Sequence, residues 1–257
     1  RQRYISCFCC PPNTLRTLAE AQEYAYSVGK DGTLYVNLYG DNKLKTKDID
    51  VEMLSDYPLD GHITLKINRL NGIKNVSFRI PSWADDVTMT VNGDSVNISD
   101  CVKPGYAELT HPWKKGDVVT LDLPMRPRLI EANPLVEESK NQVAVMRGPL
   151  VYCVEWPDNK GFDLMNILEN REPTFKEGKI SYDGFIADKY KNTLEQYKDL
   201  YLETLTNPVQ TLAYDKSGKL TTKDETLTLI PYFAWAHRGN GNMKVWLPQD
   251  VKAAKPW

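Results

Sequence analysis

Short segments in which apolar and polar residues alternate dominate the first half of this chain, and they constrain its fold most. They read TLYVNLY at 33–39, HITLKIN at 62–68, NVSFRI at 75–80, VTMTV at 87–91 and VVTLDL at 118–123. Turn signals such as Asn71-Gly72 and Asn92-Gly93 separate them, with no helical pattern between. Such alternation is typical of strands with one buried and one solvated face. The chain is therefore predicted to be mainly β, with antiparallel β-sandwiches.

From about Glu131 the sequence pattern changes. The run QVAVMRGPLVYCVEW at 142–156 is almost continuously apolar, which predicts one long strand buried on both faces. Further strands are predicted at 209–214, 226–238 and 243–248, and short helical pieces around 163–169 and 192–202. We therefore expect two β-sandwich units with a boundary near residue 130.

One segment ahead of the strands has a helical period. Its apolar stripe consists of Leu15, Leu18, Ala19, Gln22, Ala25 and Tyr26, at spacings of three and four. The side chain of Asn13 can accept a hydrogen bond from an unpaired backbone N–H, and Gly29 can end the helix. The pattern predicts one helix over residues 14–28, capped by Asn13.

Charge and hydropathy exclude two classes of partner. The 257 residues carry 32 Lys and Arg against 34 Asp and Glu, so the chain lacks the basic surface that nucleic-acid binding needs. No apolar run approaches the roughly 20 residues of a membrane helix, so no membrane partner is expected. The chain opens RQRYISCF, without an initiator Met or a signal peptide. We therefore expect a C-terminal part of a longer protein, whose compartment these residues do not indicate.

The motif SCFCCPPN at 6–13 concentrates Cys7, Cys9 and Cys10 just ahead of the predicted helix. A disulfide between the neighbours Cys9 and Cys10 would close a strained ring, which disfavours it. A structural zinc site usually repeats CxxC pairs, and the second pair is missing. Two readings stay open on the residues alone: burial of the thiols, and a reactive or metal-bound thiolate stabilised by the helix N-terminus.

The other candidate residues favour structural roles. Cys153 lies in an apolar strand and is predicted to be a buried, inert thiol, and Cys101 a half-buried one at a loop or strand edge. Three histidines lack metal-ligand spacing and are predicted to lie at the surface or at sheet edges: His62, His111 and His237. Three aromatic residues could stack on a sugar but fit a sandwich core better: Tyr232, Phe233 and Trp235.

Four segments resemble motifs of glycoside hydrolase family 127, in the same order. They are CFCCPPN at 7–13 running into a helix, DGTLYVNLYG at 31–40, VAVMRGPLVYCVE at 143–155 and IPYFAWAHRGNGNMKVWLP at 230–248. The resemblance implies an (α/α)6 barrel followed by two β-sandwiches, of which this chain would hold the last barrel helix and the sandwiches. Residues 1–29 would be the barrel remnant, 30–130 plus 226–250 the first sandwich, and 131–225 a second sandwich inserted in it.

The resemblance also implies an activity and a site. Characterised members are retaining β-L-arabinofuranosidases or act on related furanoses, so the longer protein would bind an oligosaccharide of plant-type glycans. Cys9 matches the nucleophile, and Cys9 and Cys10 match two ligands of a zinc ion. The other two ligands and the acid/base glutamate lie upstream in the family, and Cys7 matches no known role. The isolated chain would then be inactive, with weak zinc binding.

Two alternatives compete with this hypothesis. The chain could be a non-catalytic carbohydrate-binding or structural β-sandwich module. It could also be an assembly in which zinc on the cysteine cluster only closes the fold. A homodimer formed through one of the sandwiches is a further option that the sequence leaves open.

Overall fold

A computed structural model describes residues 8–103, 105–161, 167–168, 173–181, 201–236, 238 and 241–248 of the chain. These residues divide into two compact units, one up to Arg126 and one from Pro127. Within the described ranges, every helix is too short or too polar to cross a membrane. The molecule is mainly β, as predicted, with a helix at the start of the described chain.

The helices and strands follow in chain order. The helices are α1 (Cys10–Glu20) and α2 (Ile98–Cys101), and 3₁₀ turns lie at Ala21–Tyr24, Glu137–Ser139, Trp156–Asp158 and Tyr232–Ala234. The strands up to Arg126 are β1 (Tyr26–Val28), β2 (Thr33–Val36), β3 (Asn42–Lys45), β4 (Ile49–Ser55), β5 (His62–Leu70), β6 (Asn75–Arg79), β7 (Thr88–Val91), β8 (Asp94–Ser95), β9 (Val102–Lys103), β10 (Tyr106–Thr110) and β11 (Val118–Asp122). The later strands are β12 (Pro127–Glu131), β13 (Gln142–Arg147), β14 (Leu150–Glu155), β15 (Ile167–Leu168), β16 (Lys176–Ser181), β17 (Tyr201–Tyr214), β18 (Leu220–Pro231), β19 (Met243–Lys244) and β20 (Leu247–Pro248).

The N-terminal unit is a sandwich of two sheets. One has the strand order β1-β2-β6-β10-β9, and the other β3-β4-β5-β11-β7-β8. Alternate residues of both sheets, among them Leu34, Phe78, Ile63 and Leu121, form one buried cluster. One pairing differs from the antiparallel expectation, because β2 and β6 run parallel. The alternation that predicted these strands is thus the alternation between core and outer face.

The predicted helix over 14–28 is shorter and starts earlier than expected. Helix α1 begins at Cys10, with Cys9 as its N-cap, and ends at Glu20. A 3₁₀ turn follows, and Tyr26 to Val28 form β1, which pairs with β2. Pairing with the next strand in a short hairpin overrides the local helical pattern, because it satisfies the backbone groups of two residues that favour strands, Tyr26 and Val28.

The apolar run at 142–156 forms two strands where one was predicted. Gly148, with a φ of 54°, and Pro149 make a tight turn between β13 and β14. Arg147 pairs with Leu150 across this turn. Proline cannot donate to a sheet and glycine adopts a positive φ without strain, so the pair ends one strand and starts the next. The expected burial on both faces holds for most of this hairpin, including Val145 and Cys153.

The C-terminal unit contains a sheet of nine strands in the order β12-β13-β14-β18-β17-β15, with β16, β19 and β20 paired to its members. The expected insertion assigned 226–250 to the first sandwich. In the structure β18 pairs with β14, and β20 with β13. Residues 226–248 therefore complete the C-terminal unit, where their apolar side chains share its core. Within the ranges that are described, each unit is continuous in sequence.

The two predicted helical pieces lie largely outside the described residues. Of the first piece, Ile167 and Leu168 form β15, which pairs with β17. Of the second, residues 201 and 202 begin β17. The described parts of both pieces are therefore strand.

Candidate functional site

Cys9 and Cys10 lie at the start of α1, and both side chains are exposed. Their sulfur atoms are 3.5 Å apart, well beyond the roughly 2.05 Å of a disulfide bond. The structure therefore agrees with the expectation that these neighbours do not form a disulfide. It does not bear out burial, since both thiols reach solvent.

The first turn of α1 differs from the predicted one in its N-cap residue and in the number of free backbone N–H donors. Asn13 was expected to cap the helix, but it lies inside the first turn, where its N–H donates to the carbonyl of Cys9 at 3.3 Å. Pro11 and Pro12 carry no N–H, so the start of α1 has fewer backbone donors than a typical helix. The thiols thus lie at the positive end of the helix dipole, with little added support from backbone N–H groups.

Cys7 falls outside the described residues, so its expected proximity to Cys9 and Cys10 stays a prediction. In the part of the chain that is described, no three His, Cys, Asp or Glu side chains are grouped so that they could hold a metal ion. The two thiols are therefore a pair of donors at most within these ranges.

The two isolated cysteines lie where the sequence predicted them. Cys153 is fully buried in β14, and burial raises the pKa of its thiol to about 12. Cys101 is half-buried at the end of α2, and burial, helped by Asp100, raises its pKa. Both thiols are protonated at neutral pH, which makes them poor nucleophiles.

The two described histidines, His62 and His111, each lie beside a carboxylate. Nδ1 of the exposed His62 is 2.6 Å from Oδ1 of Asp122 on the neighbouring strand. His111 stacks edge-on against Trp113, with 4.9 Å between ring centroids, and its Nε2 is 3.5 Å from Asp117. These positions match the expected surface and sheet-edge roles. His237 lies outside the described residues.

The aromatic residues after β18 divide between core and surface. Trp235 packs against a small buried cluster that includes Cys153 and Ile230, as predicted for a core residue. Tyr232 and Phe233 are 43% and 47% exposed, so the prediction of a core position is wrong for these two. They lie on a 3₁₀ turn, where only Ala234 points inward.

A buried ion cluster of Arg238, Glu155 and Asp158 in the C-terminal unit was not predicted from the sequence. The guanidinium of Arg238 donates to Glu155 at 2.6 Å and to Asp158 at 2.7 Å. The other oxygen of Glu155 accepts from the backbone N–H of Ala236 at 2.8 Å. Arg238 is about 80 positions from Glu155 and Asp158, so the one available signal was the charged Glu155 at the end of an otherwise apolar strand. The cluster joins Ala236 and Arg238 to Glu155 at the end of β14.

Comparison with known proteins follows the same division into two units. The family model "Beta-L-arabinofuranosidase, GH127 middle domain" matches residues 33–125, and "Glycoside hydrolase family 127 C-terminal domain" matches residues 127–248. The non-reducing end β-L-arabinofuranosidase of Bifidobacterium longum subsp. longum is 30% identical over 254 residues, which cover 95% of this chain and 37% of that protein.

Solved structures of GH127 enzymes are also similar to this chain. A GH127 β-arabinofuranosidase superposes with a TM-score of 0.80 at 40% identity, over 99% of this chain and 40% of that one. A GH127 β-L-arabinofuranosidase from Geobacillus stearothermophilus T6 gives 0.78 at 29% identity, over 97% and 39%. The chain thus spans about two fifths of the length of each of these relatives. The two family models together match most of its residues, and on that basis the chain belongs to glycoside hydrolase family 127.

Proposed function

We propose that this chain is the C-terminal part of a retaining glycoside hydrolase that acts on β-L-arabinofuranosides or related sugars of plant-type glycans. The names of the relatives support the substrate class. One observation carries the proposal for this chain's own residues: Cys9 and Cys10 place two adjacent, exposed sulfur atoms at the start of a helix. A sulfur atom in that position can be approached by a substrate from solvent.

In the proposed reaction Cys9 is the nucleophile. Its thiolate lone pair forms a C–S bond to the anomeric carbon while the glycosidic C–O bond breaks. The leaving oxygen takes a proton from an acid that lies outside this chain. Water then attacks the same carbon, its proton passes to the conjugate base of that acid, and the C–S bond breaks to return the thiolate. Two displacements at one carbon retain its configuration, as they do when a carboxylate is the nucleophile.

The two thiols fit half of a zinc site. Two sulfur atoms bound to one tetrahedral zinc ion at about 2.3 Å each would lie about 3.8 Å apart. Cys9 and Cys10, at 3.5 Å, come close to that separation without rearrangement. Zinc on these sulfur atoms would keep them deprotonated at neutral pH. We propose that Cys9 and Cys10 are two of its ligands and that the others come from residues outside this chain.

Substitution in the longer protein tests the nucleophile. Cys9→Ser should abolish turnover, because a neutral hydroxyl is a much weaker nucleophile than a thiolate. A cyclophellitol analogue of the furanose should give one covalent adduct, and peptide mapping should place it on Cys9. Cys10→Ser is the matched control: it should weaken zinc binding and activity while leaving the site of the adduct at Cys9. An adduct on a carboxylate, or full activity in Cys9→Ser, would refute the proposal.

One observation favours the alternative of a carbohydrate-binding module, namely the exposed rings of Tyr232 and Phe233. Aromatic faces of this kind can stack on sugars. Calorimetric titration of the isolated chain with arabino-oligosaccharides would decide this. Binding that is lost in Tyr232→Ala and Phe233→Ala, together with unchanged turnover in Cys9→Ser, would favour the module over the enzyme.

A further inference from the structure

Two turns of the N-terminal unit carry the dipeptide Asn-Gly, Asn71-Gly72 and Asn92-Gly93. Asn92 and Gly93 form the two-residue turn between β7 and β8, with φ of 54° and 88°. Positive φ at both residues is typical of a type I′ hairpin turn, which asparagine and glycine favour. Asn71 and Gly72 lie between β5 and β6, which belong to different sheets. The same dipeptide therefore occurs in two settings within one unit.

Asparagine followed by glycine is a reactive pair, because glycine has no side chain to hinder attack by its backbone nitrogen. That nitrogen bonds to Cγ of the asparagine and loses its proton, and the Cγ–Nδ2 bond breaks as ammonia leaves. Water then adds to one of the two carbonyl carbons of the cyclic imide and opens the ring. The product is aspartate or isoaspartate, so an uncharged amide becomes a carboxylate without an enzyme or an oxidant.

Both polar atoms of the Asn92 side chain are bound where β11 begins. Nδ2 donates to Oδ1 of Asp117 at 3.0 Å, and Oδ1 accepts from the N–H of Val118 at 2.8 Å. The N–H of Asn92 donates to the carbonyl of Val118, also at 2.8 Å. Imide formation must turn the amide toward the nitrogen of Gly93, so these hydrogen bonds oppose it. All of the partners lie within residues 92–118, so the arrangement is internal to the N-terminal unit.

Asp117 is a fixed partner for this amide. It is only 9% exposed, and its Oδ2 accepts from the backbone N–H of Lys114 at 2.7 Å. That hydrogen bond is the main reason why the pKa of Asp117 lies below its ordinary value, so the carboxylate is charged at neutral pH. A negative charge beside the amide also disfavours the negative charge that develops on Oδ1 of Asn92 during ring closure. Asp117 thus opposes the reaction both by holding the amide and by its charge.

Asn71 has no comparable restraint among the described residues. Its backbone N–H donates to the carbonyl of Asp48 at 2.8 Å, and its side-chain amide makes no hydrogen bond within the described ranges. Asn71 is therefore an internal reference for the reactivity of the same dipeptide without a bound side chain.

We propose that Asn92 is a latent deamidation site, which the contact with Asp117 keeps unreactive while the N-terminal unit is folded. Unfolding frees the side chain and allows the imide to form. Aspartate or isoaspartate at position 92 no longer donates to Asp117, and its charge repels that carboxylate. The modified chain therefore refolds to a less stable unit, and the modification remains as a record that the unit has unfolded. This site is independent of the proposed reaction at Cys9.

Peptide mapping of the chain across a urea titration measures deamidation at both asparagines at once. The rate at Asn92 should rise on the order of 10-fold or more through the unfolding transition, because the restraining hydrogen bonds are lost. The rate at Asn71 should change little. Equal rates at Asn92 in the folded and the unfolded chain would overturn the proposal. Equal suppression at both asparagines in the folded chain would overturn the role of Asp117, since the fold in general would then slow the reaction.

Two pairs of variants separate the contact with Asp117 from the fold. Asp117→Ala, in buffer in which circular dichroism shows a folded chain, should raise the rate at Asn92 toward that at Asn71, and the matched Asp122→Ala should not. Asn92→Asp, which reproduces one product, should lower the urea midpoint of the N-terminal unit, whereas Asn71→Asp should leave it nearly unchanged. The second pair does not require Asp117→Ala to fold. An unchanged rate in folded Asp117→Ala, or equal midpoints in the second pair, would overturn the proposal.

Discussion

The carboxylate of Asp117 accepts a hydrogen bond of 3.0 Å from the side-chain amide of Asn92, and this contact joins two loops of the N-terminal sandwich. The same carboxylate accepts from the backbone N–H of Lys114 at 2.7 Å. Asn92 in turn accepts from the N–H of Val118 at 2.8 Å. The hydrogen bond from Lys114, with the amide of Asn92 and the nearby His111, lowers the pKa of Asp117 despite its burial.

Asp117→Asn should destabilise the N-terminal unit by about 1–3 kcal/mol, because the charged acceptor is lost and a buried donor takes its place. Urea unfolding at neutral pH measures the change. Asp122→Asn is the control, since Asp122 pairs with His62 on the surface, where such pairs contribute about 0–1 kcal/mol. Equal effects of the two substitutions would contradict the assigned role.

The same carboxylate predicts how stability depends on pH. Its pKa is lower in the folded than in the unfolded chain, so its contribution is present above the ordinary value of 3.8 and is lost as pH falls below it. The difference in stability between the wild type and Asp117→Asn should therefore shrink as the pH falls below about 4. Urea titrations at several pH values check this, and a constant difference would refute it.

Strand β14 offers a matched pair of substitutions in the C-terminal unit. Val154 is fully buried, whereas Val151 is half-buried. Val154→Asp should unfold this unit, because an unpaired buried charge costs several kcal/mol even after relaxation, roughly. Val151→Asp should be milder. Thermal unfolding by circular dichroism separates the two, and equal melting temperatures would show that this strand is not packed as described.

The ion cluster of Arg238 should respond strongly to substitution. Arg238→Met leaves the buried carboxylate of Glu155 without its cation, which should cost about 3–5 kcal/mol. Glu155→Gln in the same chain should recover part of that loss. Arg126→Met is the control, since Arg126 and Asp86 form an exposed pair. Denaturant unfolding of the wild type, Arg238→Met, Glu155→Gln and the double variant gives the coupling. A loss in Arg238→Met as small as that in Arg126→Met would contradict the cluster's role.

Thiol alkylation should separate the cysteines by burial. Cys9 and Cys10 are exposed and should react with iodoacetamide in the folded chain. Cys153 should react only after denaturation, because it is buried and its pKa is raised to about 12. Peptide mapping by mass spectrometry, with and without urea, tests this. Labelling of Cys153 in the folded chain would show that β14 opens.

The isolated chain should bind zinc weakly and should not hydrolyse a p-nitrophenyl β-L-arabinofuranoside. Two thiolates supply half of a tetrahedral site, so much of the affinity of a complete site is lost. Competition with a chromophoric chelator measures zinc binding, with Cys10→Ser as the weaker control. Stoichiometric zinc that resists the chelator, or turnover by the chain alone, would contradict the proposed division of the site.

The strands were predictable where alternation is local. The segments at 62–68 and 118–123 matched β5 and β11 because each has one face in the core. The partners of strands were not predictable, since pairing of β18 with β14 depends on contacts between segments some 75 residues apart. The end of α1 was missed for a different reason: the helical spacing of apolar residues runs on to Tyr26, but Tyr26 pairs with Val36 of β2 in a local hairpin.

The candidate site divides in a similar way. Adjacent cysteines before a helix are visible in sequence, and so are the motifs that resemble the family. The hydrogen bonds of Asn92 were not visible, because Asn-Gly indicates only a turn and the partner Asp117 is 25 positions away. The structural role of a polar residue depends on hydrogen-bond partners that come close only when the chain folds, so that role cannot be predicted from the local sequence.

The exposure of helix α1 has a consequence for how this sequence can change. With 11 residues and no buried side chain, α1 is shorter than the roughly 12–15 residues that an isolated helix needs to persist in water. Within the described chain, the exposed thiols of Cys9 and Cys10 therefore lie on an element without a buried side chain. In the isolated chain, substitutions in α1 should cost less folding free energy than substitutions in the buried strands of the sandwiches.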